Sequence, residues 1–228
     1  MAGPYSPKKE INLLWLAVAA IFLLNVGTIA YLVTGNRSQG DPHGHDEPMV
    51  EVPVAELLKP GPLEEMSIGD PNAPNVVVEY ASMSCPHCAE FHAKLLPEIK
   101  SKYVDTGKAR FIFREFPLDK PAAFAFMVAR CSGKDGYFQM VDALFKTLES
   151  WAIEGDPLPK LSEVAQQYGL SKEQFDQCVE DQKLFDNIVA VRKRASEEFK
   201  VNSTPSFFVN GKPLDHPESV DDFATLME

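Results

Sequence analysis

Several things are scarce in this 228-residue chain, and each scarcity narrows what it can be. An excess of positive charge is missing, since the formal charge is −11. Residues 1–40 hold Lys8, Lys9 and Arg37 against Glu10, or +2, so the remainder carries −11 − 2 = −13. A domain that acidic is repelled by phosphate backbones, which argues against nucleic acid as a partner. Charge of either sign is missing from Ile11 to Val33, a run of 23 residues. No segment repeats another. Cysteine is limited to Cys85, Cys88, Cys131 and Cys178. What is plentiful is apolar material, at 45% with 10% aromatics, enough for a substantial core in one large domain or two small ones.

The charge-free run is long enough to matter. At about 1.5 Å per residue it spans roughly 35 Å, against about 30 Å for a bilayer core. A cleaved signal peptide is the other reading, and Thr28-Ile29-Ala30 offers a cleavage site. Signal-peptide apolar cores are usually about 7–15 residues, which favours an uncleaved anchor. Lys8 and Lys9 then keep the N-terminus cytoplasmic, and everything beyond Thr34 is exported. The expected organisation is a cytoplasmic tail (1–10), a single transmembrane helix in the inner membrane (11–33), a flexible linker (34–55) and a periplasmic or extracytoplasmic domain (56–228). His43 and His45 lie in the polar tether Asn36–Pro48, which reads as solvated linker rather than metal site.

Beyond the tether, Val50–Leu58 and Leu63–Ile68 suit an entry strand or helix, and the turn cluster Gly69–Pro74 introduces the apolar strand Val76–Ala81. A helix through Tyr103 follows, with a kink expected at Pro97, and then a strand at Lys108–Phe113. Strand, helix, strand predicts a right-handed crossover with parallel pairing. Strand signals then stop for about eighty residues, while Ala122–Cys131, Tyr137–Trp151, Leu161–Tyr168, Lys172–Glu180 and Leu184–Phe199 carry helical spacing. Ser171 with Gln174 fits a capping box. Ser206–Val209, the hairpin signal Asn210-Gly211, Lys212–Leu214 and a closing helix at Glu218–Met227 complete the chain. The order βαβ…ββα describes an α/β sheet interrupted by a helical insertion at about 119–199.

Chemistry enters at Cys85-Pro86-His87-Cys88, delivered by the Val76–Ala81 strand to the start of a helix. Unpaired N–H groups and the macrodipole there favour a negative charge. The thiolate is the form of cysteine that attacks disulfides, so this is a redox site. Pro86 suits the first helical position, where its missing N–H costs nothing, and His87 adds a donor and partial positive charge beside the sulfur. Cys85 is expected to be the more exposed, acidic thiol and Cys88 the buried partner that resolves mixed disulfides.

The combination of Cys85-Pro86-His87-Cys88, Ser203-Thr204-Pro205-Ser206-Phe207 and the helical insertion between them resembles the DsbA-like thioredoxin-fold thiol:disulfide oxidoreductases. The phrases Gly69–Pro74, Phe113-Arg114-Glu115-Phe116-Pro117 and Glu197–Pro205 resemble a membrane-anchored bacterial branch of that family. The resemblance implies a thioredoxin fold over roughly Glu64–Met227 and a cis Pro205 beside the sulfurs. It also implies substrate pairing with backbone groups of Thr204 and Pro205, and reoxidation by a membrane quinone-linked partner. Thr204 departs from the aliphatic residue that the best-studied oxidases carry there, which leaves redox strength open.

Glu79 lies six residues before Cys85 in an otherwise apolar strand. The family resemblance implies a proton carrier for Cys88, while simple alternation would turn it to solvent. His92 and Arg114 read as structural. Cys131 and Cys178, left over in an exported domain, are expected to bond to each other. The anchored branch has such a second disulfide, and a loop of about 48 residues is worth up to about 4 kcal/mol by chain entropy.

The candidate catalytic set is therefore Cys85, Cys88, His87, Pro86 and Glu79, with Thr204 and Pro205 for substrate, and neither metal nor cofactor. Such an enzyme would introduce disulfides into exported cysteine-containing proteins. An isomerase or reductase of the same fold is the first alternative, kept open by Thr204. A metal chaperone using Cys85, His87 and Cys88 for soft copper or zinc is the second, and has no need of a proline loop.

Overall fold

The computed structural model describes residues 48–152 and 155–227. The expected tail, anchor, His43 and His45 lie outside them. No helix among the described residues is long and apolar enough to cross a membrane.

Five strands form one sheet in the order β1-β3-β2-β4-β5. They are β1 (Met66–Ile68), β2 (Asn75–Ala81), β3 (Ala109–Glu115), β4 (Ser206–Val209) and β5 (Lys212–Leu214). The central pair β2–β3 is parallel, with Val77 opposite Phe111 and Glu79 opposite Phe113; β1, β4 and β5 pair antiparallel. This is a thioredoxin-like α/β fold with a helical insertion. The helix α1 (Val54–Leu57) precedes the sheet, and α2 (Pro86–Ile99) is the crossover from β2 to β3. Three residues past Pro97, α2 gives way to a π-helical turn, Lys100–Val104.

The insertion is α3 (Lys120–Cys131), α4 (Gly133–Lys146), α5 (Leu148–Trp151), α6 (Leu158–Gln167), α7 (Lys172–Glu180) and α8 (Gln182–Glu198). The helix expected over Tyr137–Trp151 is two helices. Thr147 breaks it, its hydroxyl donating to the Ala143 carbonyl at 2.8 Å, and the Trp151 indole donates back to the Leu144 carbonyl at 3.0 Å. Such back-bonding by a hydroxyl competes with helix continuation. At α7 the Ser171–Gln174 capping box is formed in both directions. The closing helix α9 covers Val220–Ala224, shorter than its sequence pattern suggests.

Alternation along the strands divides the core in two. Val77, Ala81, Phe111, Phe113 and Phe207 face α2 and the insertion. Val78, Tyr80, Ile112 and Phe208 face the other way, against Leu57, Ala195 and Phe199. The β4–β5 hairpin turns at Asn210 (φ 52°) and Gly211 (φ 82°), the left-handed pair such a two-residue turn requires. Gly211 is also a close approach, because a Cβ there would sit 2.0 Å from the Val52 carbonyl oxygen. The Val52 N–H bonds to the Gly211 carbonyl at 2.8 Å, so the turn carries the entry segment on its back.

Candidate active site

The site is built at the C-terminal end of β2. Cys85 is the N-cap of α2 with extended backbone (φ −90°, ψ 116°), and Pro86 is the first helical residue. Both cysteines are reduced and buried; Cys85 keeps 5% exposure and Cys88 none. Pro86 and His87 are exposed. The chain loops back so that the Thr204 carbonyl meets the Cys85 thiol, and the Thr204–Pro205 peptide bond is cis.

Electrostatics separate the two sulfurs. Cys85 is pulled down from its ordinary value to about 5, chiefly by a hydrogen bond from the Cys88 thiol. The Thr204 side chain and the backbone N–H groups of Cys88 and His87 add to this, against burial, which opposes it. These N–H groups are among the unpaired donors of the helix start. Burial pushes Cys88 well above its ordinary value, and the charge on Glu79 pushes the same way. Thr204 serves both forms of Cys85 with different atoms. The thiol donates to the Thr204 carbonyl at 3.2 Å, whereas a thiolate accepts from the Thr204 hydroxyl, whose Oγ1 otherwise lies buried without a partner.

Glu79 is fully buried, on the same face of β2 as Val77 and Ala81, the face that α2 covers. It does not alternate out to solvent, because helices cover both faces of the sheet. His92, placed by sequence among structural residues, touches it: Nε2 lies 2.9 Å from Glu79 Oε2. Burial raises the Glu79 carboxyl above its usual range, and His92 partly offsets this. Arg114 is held away from this cluster on the opposite face of β3, donating to the Tyr80 hydroxyl at 2.7 Å and to both Glu65 oxygens. Cys131 and Cys178 are bonded to each other with Cα atoms 6.1 Å apart, tying the end of α3 to α7.

Beside Cys85 lies an open cleft of about 620 Å³. His87, Glu90, Phe91 and Lys94 line it from α2, Thr204 and Pro205 from the segment before β4, and His216 and Glu218 from the segment before α9. His216 adopts a left-handed backbone (φ 47°) there. Sequence reading missed His216 and Glu218, for no spacing rule links residue 216 to residue 87. The Asn210-Gly211 hairpin was the available signal, since it sends the chain past β5 towards α2.

Comparison with known proteins agrees with this geometry. The family model described as Thioredoxin matches residues 63–228. A Rickettsia bellii protein named as a protein-disulfide oxidoreductase is 35% identical over 148 residues, which is 64% of this chain and 57% of that protein. The chain thus spans little more than half the length of the curated relatives it matches. Among solved structures, alpha-DsbA1 of Wolbachia pipientis is 36% identical, with TM-score 0.64 over 76% of this chain and 86% of that one. Oxidised BdbD of Bacillus subtilis, at 20% identity and TM-score 0.63 over 71% of this chain and 89% of that one, shares the fold.

Proposed function

This chain belongs to the thioredoxin family in its DsbA-like branch, and from that premise we propose that it is a protein-disulfide oxidoreductase which forms disulfides in exported proteins through Cys85 and Cys88. The observation that carries the reading is the split of the two thiols, with Cys85 near 5 at a helix start and Cys88 held protonated beside it.

The exchange balances as follows. A substrate thiolate attacks Cys85 Sγ of the oxidised pair, forming a mixed disulfide and breaking the Cys85–Cys88 bond. The electron pair leaves on Cys88, which takes up a proton. The substrate's second thiolate attacks its own sulfur in the mixed disulfide, forming the substrate disulfide and expelling Cys85 as a thiolate. A thiol that ionises near pH 5 is a good leaving group at pH 7, so product release is favoured and the reduced enzyme is stabilised. Cys85 and Cys88 carry both electrons, so the step needs no bound cofactor. Thr204 and Pro205 offer backbone groups to an extended substrate segment lying in the cleft.

In this reading Ile11–Val33 anchors the chain in the inner membrane with its catalytic domain in the periplasm or extracytoplasmic space. A membrane redox partner reoxidises the pair, and the anchor keeps the two close. The acidic charge makes nucleic acid an unsuitable partner. Isomerase or reductase action is the second reading, favoured by the hydroxyl of Thr204 against Cys85.

The deciding experiment is the equilibrium reduction potential of the full chain in glutathione buffers, with oxidation of a reduced dithiol peptide as the activity. A potential near about −120 mV is expected; one near about −270 mV would make the protein a reductase. Cys85→Ser should abolish oxidation while the circular dichroism spectrum is unchanged, and an active Cys85→Ser chain would remove the central claim.

A further inference from the structure

His92 takes no part in the exchange described above, yet it is the polar neighbour of the buried acid beside the reacting sulfurs. It sits four residues after Cys88 in α2, so the two side chains share one helix face. Around its ring are Phe91, Phe113 and Phe145, with centroids 5.7, 5.1 and 4.6 Å away. Its hydrogen-bond contact is Glu79 Oε2, while Glu79 Oε1 is buried with no partner. The Glu79 side chain has no exposure, whereas that of His92 retains 6%. A proton on Glu79 therefore has a polar route outward through His92.

We propose that His92 is a positioning residue of the exchange reaction, which holds the Glu79 carboxyl beside the active-site pair and passes to solvent the proton that Cys88 gives up when it resolves a mixed disulfide. This rests on the reading of Cys85 and Cys88 as the exchange pair. During reoxidation Cys88 attacks Cys85 Sγ in a mixed disulfide; the Cys85–Cys88 bond forms, the bond to the departing sulfur breaks, and that sulfur leaves as a thiolate. The Cys88 proton must go elsewhere, and burial of Cys88 opposes its release to water directly. Glu79 accepts it at a carboxylate oxygen, and the imidazole relays it by taking a proton at one ring nitrogen and releasing one at the other. The titratable groups acting on or acted on by Glu79 are His92 and Cys88 from α2, Cys85 at its start and Tyr137 from α4. Tyr137 is committed to Glu115, to which it donates at 2.9 Å.

The test follows resolution of a glutathione mixed disulfide at Cys85 in the full chain, by release of glutathione across a pH series. His92→Leu removes both contact and relay; His92→Gln keeps an amide that can bond to Glu79 but cannot relay a proton, and guards against a variant that fails to fold. Both should resolve about tenfold more slowly at pH 7, equivalent to about one unit of Cys88 acidity, and recover as pH rises. The Cys85 thiolate absorbance titration should stay at its parental position. Adding Glu79→Gln to His92→Gln should slow resolution no further than the slower single change. A folded His92→Gln chain that resolves within about twofold of the parent with the same pH profile would overturn the proposal, as would slowing that is equal at every pH. A parent chain that forms no mixed disulfide sinks the exchange reading itself, whereas a normal parent beside an indistinguishable His92→Gln sinks the relay alone.

Discussion

Two buried carboxylates on neighbouring strands face the same layer of helices and are treated in opposite ways. Glu115, at the end of β3, is 1% exposed and accepts from the Arg130 guanidinium at 2.6 Å and from the Tyr137 hydroxyl at 2.9 Å. Arg130 also reaches the Glu64 carbonyl at 2.6 Å, so the cluster stitches α3 and α4 to the sheet and to the segment before β1. Glu79, on β2, is 0% exposed and has one imidazole contact and one orphan oxygen. A buried carboxylate with several donors has its desolvation offset, while one left short of partners bears that cost, and burial raises the Glu79 carboxyl above its usual range. Its hydrogen bonds assign the paired acid to architecture, whereas the relay proposed above assigns the other to chemistry.

The most disruptive way to probe this contrast is to remove the satisfied charge. Glu115→Gln leaves the Arg130 guanidinium, 10% exposed, without a counter-charge in the core. Breaking such a pair costs about 3–5 kcal/mol, so the urea midpoint should fall sharply. The reduction potential of the surviving folded protein should stay at its parental value. A potential that moved with Glu115 would merge the two clusters into one functional unit.

Redox state gives the next largest effect, and its sign follows from Cys85. Its folded value, about 5, lies below the ordinary 9.0, so ionisation adds stability to the reduced protein. That stability is complete above about 9, and it is lost as pH falls through about 5. At pH 7 it amounts to about two units, or about 2.7 kcal/mol, equivalent to roughly 60 mV towards oxidation. Cys88 is displaced upward and stays neutral in both folded and unfolded chains at pH 7, so it adds nothing there. Urea unfolding of both redox forms should show the reduced form's advantage shrinking by about 2.7 kcal/mol between pH 7 and pH 4. An advantage constant over that range would show that Cys85 is not the acidic thiol.

Glu79→Gln should act with the opposite sign to Glu115→Gln. Because the folded Glu79 value is raised, the parent loses stability as pH climbs through the usual 4.5 towards that raised value. A carboxamide carries no charge to desolvate and still offers His92 a partner. The variant should therefore match the parent near pH 4 and be more stable at pH 7, by about 1–2 kcal/mol. Destabilisation at pH 7 would place Glu79 with Glu115 among the structural acids.

These contrasts also mark where the sequence stopped being readable. The strand Val76–Ala81, the Cys-Pro-His-Cys turn, the Asn210-Gly211 hairpin and the Ser171–Gln174 box are local patterns with local causes, and each appears at or within a residue or two of its expected place. Glu115, Arg130 and Tyr137 are brought together by how α3 and α4 return to β3, and no spacing rule signals that. The His92–Glu79 contact is hidden for the same reason: the helical position of His92 is visible in the sequence, but its partner is thirteen residues back on another element. The break at Thr147 escaped notice because apolar periodicity continues through it. The edge strand β1 falls within Leu63–Ile68, where strand and helix both stay open in the sequence because three residues are too few for alternation to decide between them.

The smallest expected effect concerns Thr204, where sequence reading left the redox strength open. Among the described residues its hydroxyl joins Glu79 Oε1 as a buried side-chain polar atom without a partner, and both lie near the reacting sulfurs rather than in the Glu115 cluster. Thr204→Val keeps the shape and the carbonyl that the Cys85 thiol uses, and removes only the donor available to the thiolate. Losing one such hydrogen bond is worth about 1 kcal/mol, so Cys85 should rise by somewhat less than about one unit, and the potential should become less oxidising by about 20 mV. Thermal stability should hold or improve, because a buried donor with no partner in the thiol form has been removed. A thiolate titration that does not move would mean that the backbone N–H groups of His87 and Cys88, together with the Cys88 thiol, hold the charge without help from Thr204.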